Sequence, residues 1–381
     1  MKQLKTAFGV VLLLILVSNI WTISKWNESR GVYDDICYLR QAHLFQRFGA
    51  SGLDTNVTRD DDRYMPRKLQ EIHFPDPGDP ARWPCHTFTA ALNKVVLQYP
   101  PGTGFVLALF PAGFQVISLY VTASIAIFGF GLLALARATT RSSVALAGVF
   151  GIVALYMMIN PSKASYSVAP TMVVCALAGF LTVRLFASAG AHRILLAAMV
   201  GLLIGVSVNL RLPNLFLSAG YAAFFLIAFL RARNMGTFWQ GLAFGIAFLI
   251  GMAPTLIANA INAGSPFSTT YAGIDAVPPE LDASVLLQYM RDGQFPLLLI
   301  AIAWVAALWR SGGHVATRQV VAVVALNLVI NLIFFMTHPV FTPYYVIPII
   351  MQSLWTLLFA TLDHWAPKLA DEFGLPQKAS A

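Results

Sequence analysis

Acidic residues are scarce in this chain, and one long stretch has none. No Asp or Glu occurs between Asp79 and Asp275, and charged residues make up only 11% of the 381 positions. An average soluble domain carries roughly 25%. With 57% hydrophobic residues, that deficit excludes an ordinary soluble enzyme. The net charge of +8 is not a nucleic-acid signal, because it comes from loop Lys and Arg that no helix acid balances. Cysteine is also scarce: three residues, Cys37, Cys85 and Cys175, which is too few for a disulfide framework. No Gly-rich phosphate loop ending in Lys-Ser or Lys-Thr occurs, and no His-Glu-x-x-His zinc motif. No acid sits within a central apolar run, where proton- or sodium-coupled transporters commonly keep one.

What is present is a series of membrane-length apolar runs. Ten spans are predicted, at about 7–24, 115–136, 143–160, 165–186, 193–209, 213–230, 238–258, 295–309, 319–336 and 343–362, which makes the chain an all-α polytopic membrane protein. The first run follows Lys2 and Lys5. Its length and the poor cleavage sequence Ser18-Asn19-Ile20 favour a retained anchor over a signal peptide. The short connections after even-numbered spans carry Arg137 and Arg141, Arg184 and Arg193, Arg231 and Arg233, Arg310 and Arg318. By the positive-inside rule both termini are cytoplasmic. Residues 1–366 then form one transmembrane domain, with 367–381 an unstructured cytoplasmic tail. The loops 25–103 and 260–294, which hold fourteen of the seventeen acids, face outward.

The first outer loop is too long for a simple linker. Residues 35–48 and 87–97 show apolar residues near helical spacing, which predicts two amphipathic surface helices. Prolines 66, 75, 77, 80 and 84 predict irregular chain between them. Cys37 and Cys85 share this loop and form a disulfide if it faces an oxidising compartment.

The candidate chemistry lies on the outer side. Asp34-Asp35 precedes a helical pattern, so capping alone accounts for one carboxylate. The alternative is a general base, or an anchor for a substrate or a divalent metal, since adjacent carboxylates beside a low-dielectric surface raise each other's proton affinity. Tyr99-Pro100-Pro101-Gly102 reads as a rigid turn opening a helix. The piece from Thr103 to Phe110 is too short to span and is expected to dip into the bundle. Asn259, Asn262, Gly264, Pro266 and Phe267, with Tyr271 behind them, form an exit turn whose Asn and Tyr suit hydrogen bonding to a sugar. Lys163, Arg211 and His338 are the cations on short outer turns. Snorkelling to headgroups explains such cations, as does a clamp on a lipid phosphate. Tyr344-Tyr345 near Pro348 reads as aromatic belt.

Taken in order, these pieces resemble a known family. A first helix leads into Asp34-Asp35-x-x-Tyr38, then Tyr99-Pro-Pro-Gly, then Asn259-x-x-Asn262-x-Gly264-x-Pro266-Phe267 with Tyr271, and last Tyr345 with Pro348. This is similar to the membrane glycosyltransferases of the GT-C fold, and most to the branch of protein O-mannosyltransferases and the lipid A aminoarabinose transferase. The resemblance implies an inverting transfer from a polyprenyl-phosphate-linked sugar to a lipid, glycan or protein acceptor. The active site would face outward, in a bacterial inner membrane toward the periplasm. Asp34 would be the base, and Asp35 would steer the acceptor or hold a metal. Tyr38, Tyr99, Asn262 and Tyr271 would meet substrate. Lys163, Arg211, His338 and Tyr345 would hold the donor phosphate and lipid. The chain differs from many relatives at Asn160–Tyr166, which has no acid, and at Tyr344-Tyr345, where they carry Arg-Tyr. Two other readings compete: a lipid or small-solute transporter or flippase, and an inactive membrane subunit that keeps the fold.

Overall fold

The computed structural model describes residues 1–28, 33–160, 162–271, 279–311, 314–337 and 345–372, with side chains as far as 363. Along the chain run α1 (Lys2–Ile23), α2 (Tyr33–Phe48), α3 (Tyr64–Glu71), a hairpin of β1 (His86–Thr89) and β2 (Lys94–Leu97), and α4 (Gly102–Ala108). Next come α5 (Gln115–Arg137), α6 (Arg141–Ile159), α7 (Val168–Ala187), α8 (Gly190–Leu210), α9 (Ala219–Ala232) and α10 (Met235–Ala263). The last four are α11 (Ala283–Arg291), α12 (Phe295–Arg310), α13 (Val315–Thr337) and α14 (Ile347–Glu372).

Among the described residues, eight helical segments are long and apolar enough to cross a membrane. The protein is a multi-pass helical membrane protein. The other two expected spans are shorter helices. α12 has 16 residues and follows α11 at an angle of 89°. The apolar part of α14 is Ile347–Asp363. It is the helix most enclosed by protein, with Met351, Trp355, Leu357, Leu358 and Phe359 fully buried, as expected of a helix apolar all round. Trp355 meets Phe150 edge-on at 4.7 Å. Gly179 on α7 lets the α14 backbone come close, since a β-carbon there would lie 2.9 Å from the Thr356 nitrogen. α14 continues through Pro367 to Glu372, so the helix reaches past the point where an unstructured tail is expected.

Helix association inside lipid has little hydrophobic driving force, so close backbone approach and interhelical hydrogen bonds matter more. Gly201 and Gly205 form a Gly-x-x-x-Gly pair on α8. A β-carbon at either would fall 2.2 Å from a carbonyl oxygen of α10, Phe244 O or Phe248 O. Further along, α10 carries Pro254 inside the helix, and its ring removes a ladder donor. The Asn209 side chain repairs the break: it accepts from the Thr255 N–H at 2.9 Å and donates to the Gly251 carbonyl at 2.7 Å. On the other side of the bundle Asn327 accepts from the Gly220 N–H and donates to Leu217 O, bridging the irregular start of α9. α1 packs into the bundle, with Asn19 donating to Leu155 O at 2.8 Å.

Residues 33–110 form a cap over one end of the bundle. Residues 35–48 are helical as expected, but α2 does not lie on a surface: Ile36 through Ala42 are all buried. The expected helix at 87–97 is instead the β1–β2 hairpin, with His86 opposite Leu97 and Thr89 opposite Lys94. Thr87, Thr89, Val95 and Val96 are β-branched and favour a pleated surface. Asn93 takes the left-handed conformation at φ 51°, which Asn tolerates in a tight turn. Cys37 and Cys85 are bonded, tying α2 to the hairpin. Arg40, fully buried, donates to Thr55 O and Asn56 O and pairs with Asp60 at 3.5 Å. The charged run 59–63 is therefore drawn onto α2: His43 meets Asp62 and Arg47 meets Asp61, each at 2.7 Å.

Candidate functional site

Under the cap lies a small polar cavity of about 190 Å³, lined by Asp34, Tyr38, Gln98, Tyr99, Ser165, Ser167, Arg211, Pro213, Tyr271 and Tyr345. Helical geometry explains the first two. Residues four apart share a helix face, so Asp34 and Tyr38 both look into the cavity, whereas Asp35 rotates away and is fully buried.

Tyr99 closes one side. Its hydroxyl donates to Asp34 Oδ1 at 2.6 Å, and its ring stacks on Tyr38 at 4.7 Å with a 22° interplanar angle. The Tyr271 ring sits 6.2 Å from Tyr99. Burial raises the proton affinity of the Tyr38 phenol; Ser167 hydrogen bonding works against this and the Asp34 charge adds to it. Burial also raises Tyr99, with Tyr38 and Asp34 adding to the effect. Both phenols therefore stay neutral donors, and Asp34 is the one carboxyl side chain among the described lining residues.

Arg211 supplies the cation opposite. Only 3% exposed, it stands where α8 ends and the chain becomes extended, at φ −162° and ψ 136°. Pro213 prevents the helix from simply continuing. Neighbouring bonds hold this corner: Thr103 Oγ1 donates to Leu210 O at 2.8 Å, and Asn209 is hydrogen-bonded to Thr255 and Gly251 of α10. The guanidinium lies 5.1 Å from the Tyr345 ring centroid, within cation–π range.

Six of the twelve residues singled out from the sequence thus meet in one cavity: Asp34, Tyr38, Tyr99, Arg211, Tyr271 and Tyr345. Of the others, those within the described residues do not line it. Lys163 is exposed on the turn Ser162–Ala164. The Asn262 side chain is engaged within the fold: it accepts from the Thr55 N–H and donates to Leu53 O. It pins α10 to the cap instead of facing the cavity. Cys37 and Cys85 form the disulfide. His338 lies outside the described residues. Among the described residues no cluster of three or more His, Cys, Asp or Glu side chains forms a metal-ligand set.

Sequence reasoning missed Ser165, Ser167, Gln98 and Pro213. The two serines, with hydroxyl oxygens 2.9 Å apart, directly precede α7, where short hydroxyl residues read as helix caps. No protein-family model matches the chain, and a search of curated proteins returns no match.

Proposed function

We propose that the chain is a membrane glycosyltransferase of the GT-C kind, moving one sugar from a polyprenyl-phosphate donor to an acceptor hydroxyl. The observation that carries this reading is the shared cavity of Asp34 and Arg211, ringed by Tyr38, Tyr99, Tyr271 and Tyr345. A carboxylate and a guanidinium facing one small space match what glycosyl transfer from a phosphate needs. Asp34 takes the acceptor proton as the acceptor oxygen attacks the anomeric carbon. The bond from that carbon to the phosphate oxygen breaks, and its electron pair leaves on the phosphate. A single displacement inverts the configuration, through an oxocarbenium-like state such as glycosidases use. Arg211 stabilises the charge that grows on the leaving phosphate, an effect larger in the transition state than in the ground state. Tyr99 holds Asp34, and the neutral tyrosines offer flat faces and donors to the sugar.

The size supports a single sugar. About 190 Å³ is below the roughly 300–1,000 Å³ typical of drug-sized ligand sites, which suits one ring and not an oligosaccharide. The arginines at the opposite helix ends support a cavity facing away from the cytoplasm, in a bacterial inner membrane toward the periplasm. Replacing Asp34 by Asn tests the reading. Transfer should fall by about 10²–10⁴-fold, the usual worth of a general base, while unchanged transfer would sink it.

A further inference from the structure

A second cavity is walled in part by α4. It is larger, about 640 Å³, and lined by Phe45 and Leu53 from the α2 side, Phe105 and Val106 of α4 with Leu109 just after it, and Pro254 of α10, among others. It shares no lining residue with the cavity at Asp34. The wall between them is tight. A β-carbon on Gly102 would sit 2.5 Å from the Asn209 carbonyl oxygen, and Thr103 bonds Leu210 O one residue further on.

Two observations say what fits there. First, the polar side chains of the lining are committed elsewhere. Gln46 donates to Ala108 O and Phe110 O, and Asn209 is engaged with Thr255 and Gly251. No charged residue is among them. A polar ligand would lose its water for no return. Second, the cavity is continuous with the surface the bundle turns to lipid. Phe105, Leu109 and Val206 line it and are also largely exposed, as are Ile250 and Ile257 alongside on α10.

We propose that this groove is a lipid site separate from the polar cavity, and that it takes one acyl chain of a bilayer phospholipid from the leaflet on the cap side. The inference goes beyond the transfer reading and does not rest on it. The wall residues Asn209 and Leu210 run directly into Arg211, and Pro101 and Gly102 follow Tyr99. A chain in the groove therefore packs against the backbone that carries two residues of the polar cavity.

The test uses the full chain in nanodiscs containing a phospholipid with a diazirine midway along one acyl chain. After irradiation, cross-linked peptides are mapped by mass spectrometry. Labelling should concentrate on α4 and on Phe45–Leu53, above the level on the lipid-facing residue Ile125 of α5. Filling the groove with Val106→Trp, or independently with Ala108→Phe, should abolish the excess there and leave Ile125 labelling unchanged, which also reports that the bundle is folded. Labelling of α4 no higher than at Ile125 would overturn the proposal. So would displacement of the label by an unmodified polyprenyl phosphate, which would reassign the groove to the donor's tail. Neither readout depends on sugar transfer, so its failure and that of the transferase reading are distinguishable.

Discussion

The Tyr99 hydroxyl donates a 2.6 Å hydrogen bond to Oδ1 of Asp34, joining two positions 65 residues apart in the chain. The bond fixes the carboxylate at the first turn of α2; in the proposed transfer the second oxygen would meet the acceptor. Tyr99→Phe keeps the stack on Tyr38 and removes only this donor. The turnover number should fall by about tenfold, equivalent to roughly 1.4 kcal/mol, with little change in KM. A change confined to KM would place Tyr99 in substrate binding instead.

Arg211 is expected to act through its planar fork on a phosphate. Arg211→Lys should retain part of the transfer activity, and Arg211→Ala should lose more than Lys does. Steady-state kinetics with a lipid-phosphate sugar measures both. Equal activity in the Ala variant and the parent would remove Arg211 from the mechanism.

Asn209→Ala would leave the Thr255 N–H and the Gly251 carbonyl without their bridge beside Pro254 of α10. Buried groups stranded this way cost about 1–3 kcal/mol each. Thermal unfolding in detergent should show a clear drop in Tm. Asn209→Asp should lose less, since it still accepts from Thr255.

The disulfide closes a 48-residue separation across the cap. Chain entropy sets its contribution at up to about 4 kcal/mol. Replacing Cys37 and Cys85 together by Ser should lower the unfolding temperature and make the cap more open to limited proteolysis. Unchanged protease resistance would show that Arg40 and its partners hold the cap by themselves.

His86 gives the cap a pH dependence. Burial, with the charge of Arg40 adding to it, lowers its pKa from 6.5 to about 3. The folded cap therefore holds His86 neutral, while the unfolded chain would protonate it below 6.5. Its stabilising contribution is complete above that value and is lost as pH falls toward 3, by at most about 1.4 kcal/mol per pH unit. Hydrogen exchange across the cap between pH 7 and pH 4.5 should report the loss, and His86→Gln should flatten it.

Much of this architecture was legible because lipid imposes it. Long apolar runs locate the helices, and arginine pairs mark one end of the bundle. Asp34 and Tyr38 stood out through the Asp-Asp-x-x-Tyr pattern, and the helix puts them one turn apart on one face. The hairpin was not, since Phe88, Ala91, Leu92 and Val95 fit a helical stripe as well as a strand, and the turn at Asn93 decides between them. Nor does local sequence separate Arg211 from Lys163. Both are cations on short turns, and only the packing of Asn209 against α10 and of Thr103 against Leu210 turns one of them inward. Asn262 reads as a sugar contact until the cap is folded over it, when Thr55 and Leu53 take its carboxamide.

The most direct test is transfer by the purified chain in liposomes, with a radiolabelled polyprenyl-phosphate sugar as donor and the Asp34→Asn variant beside it. The account predicts that the parent chain transfers the sugar with inversion and that the variant binds donor but transfers about 10²–10⁴-fold more slowly. Undiminished transfer by the variant, or donor crossing the bilayer with no transfer by the parent chain, would contradict it.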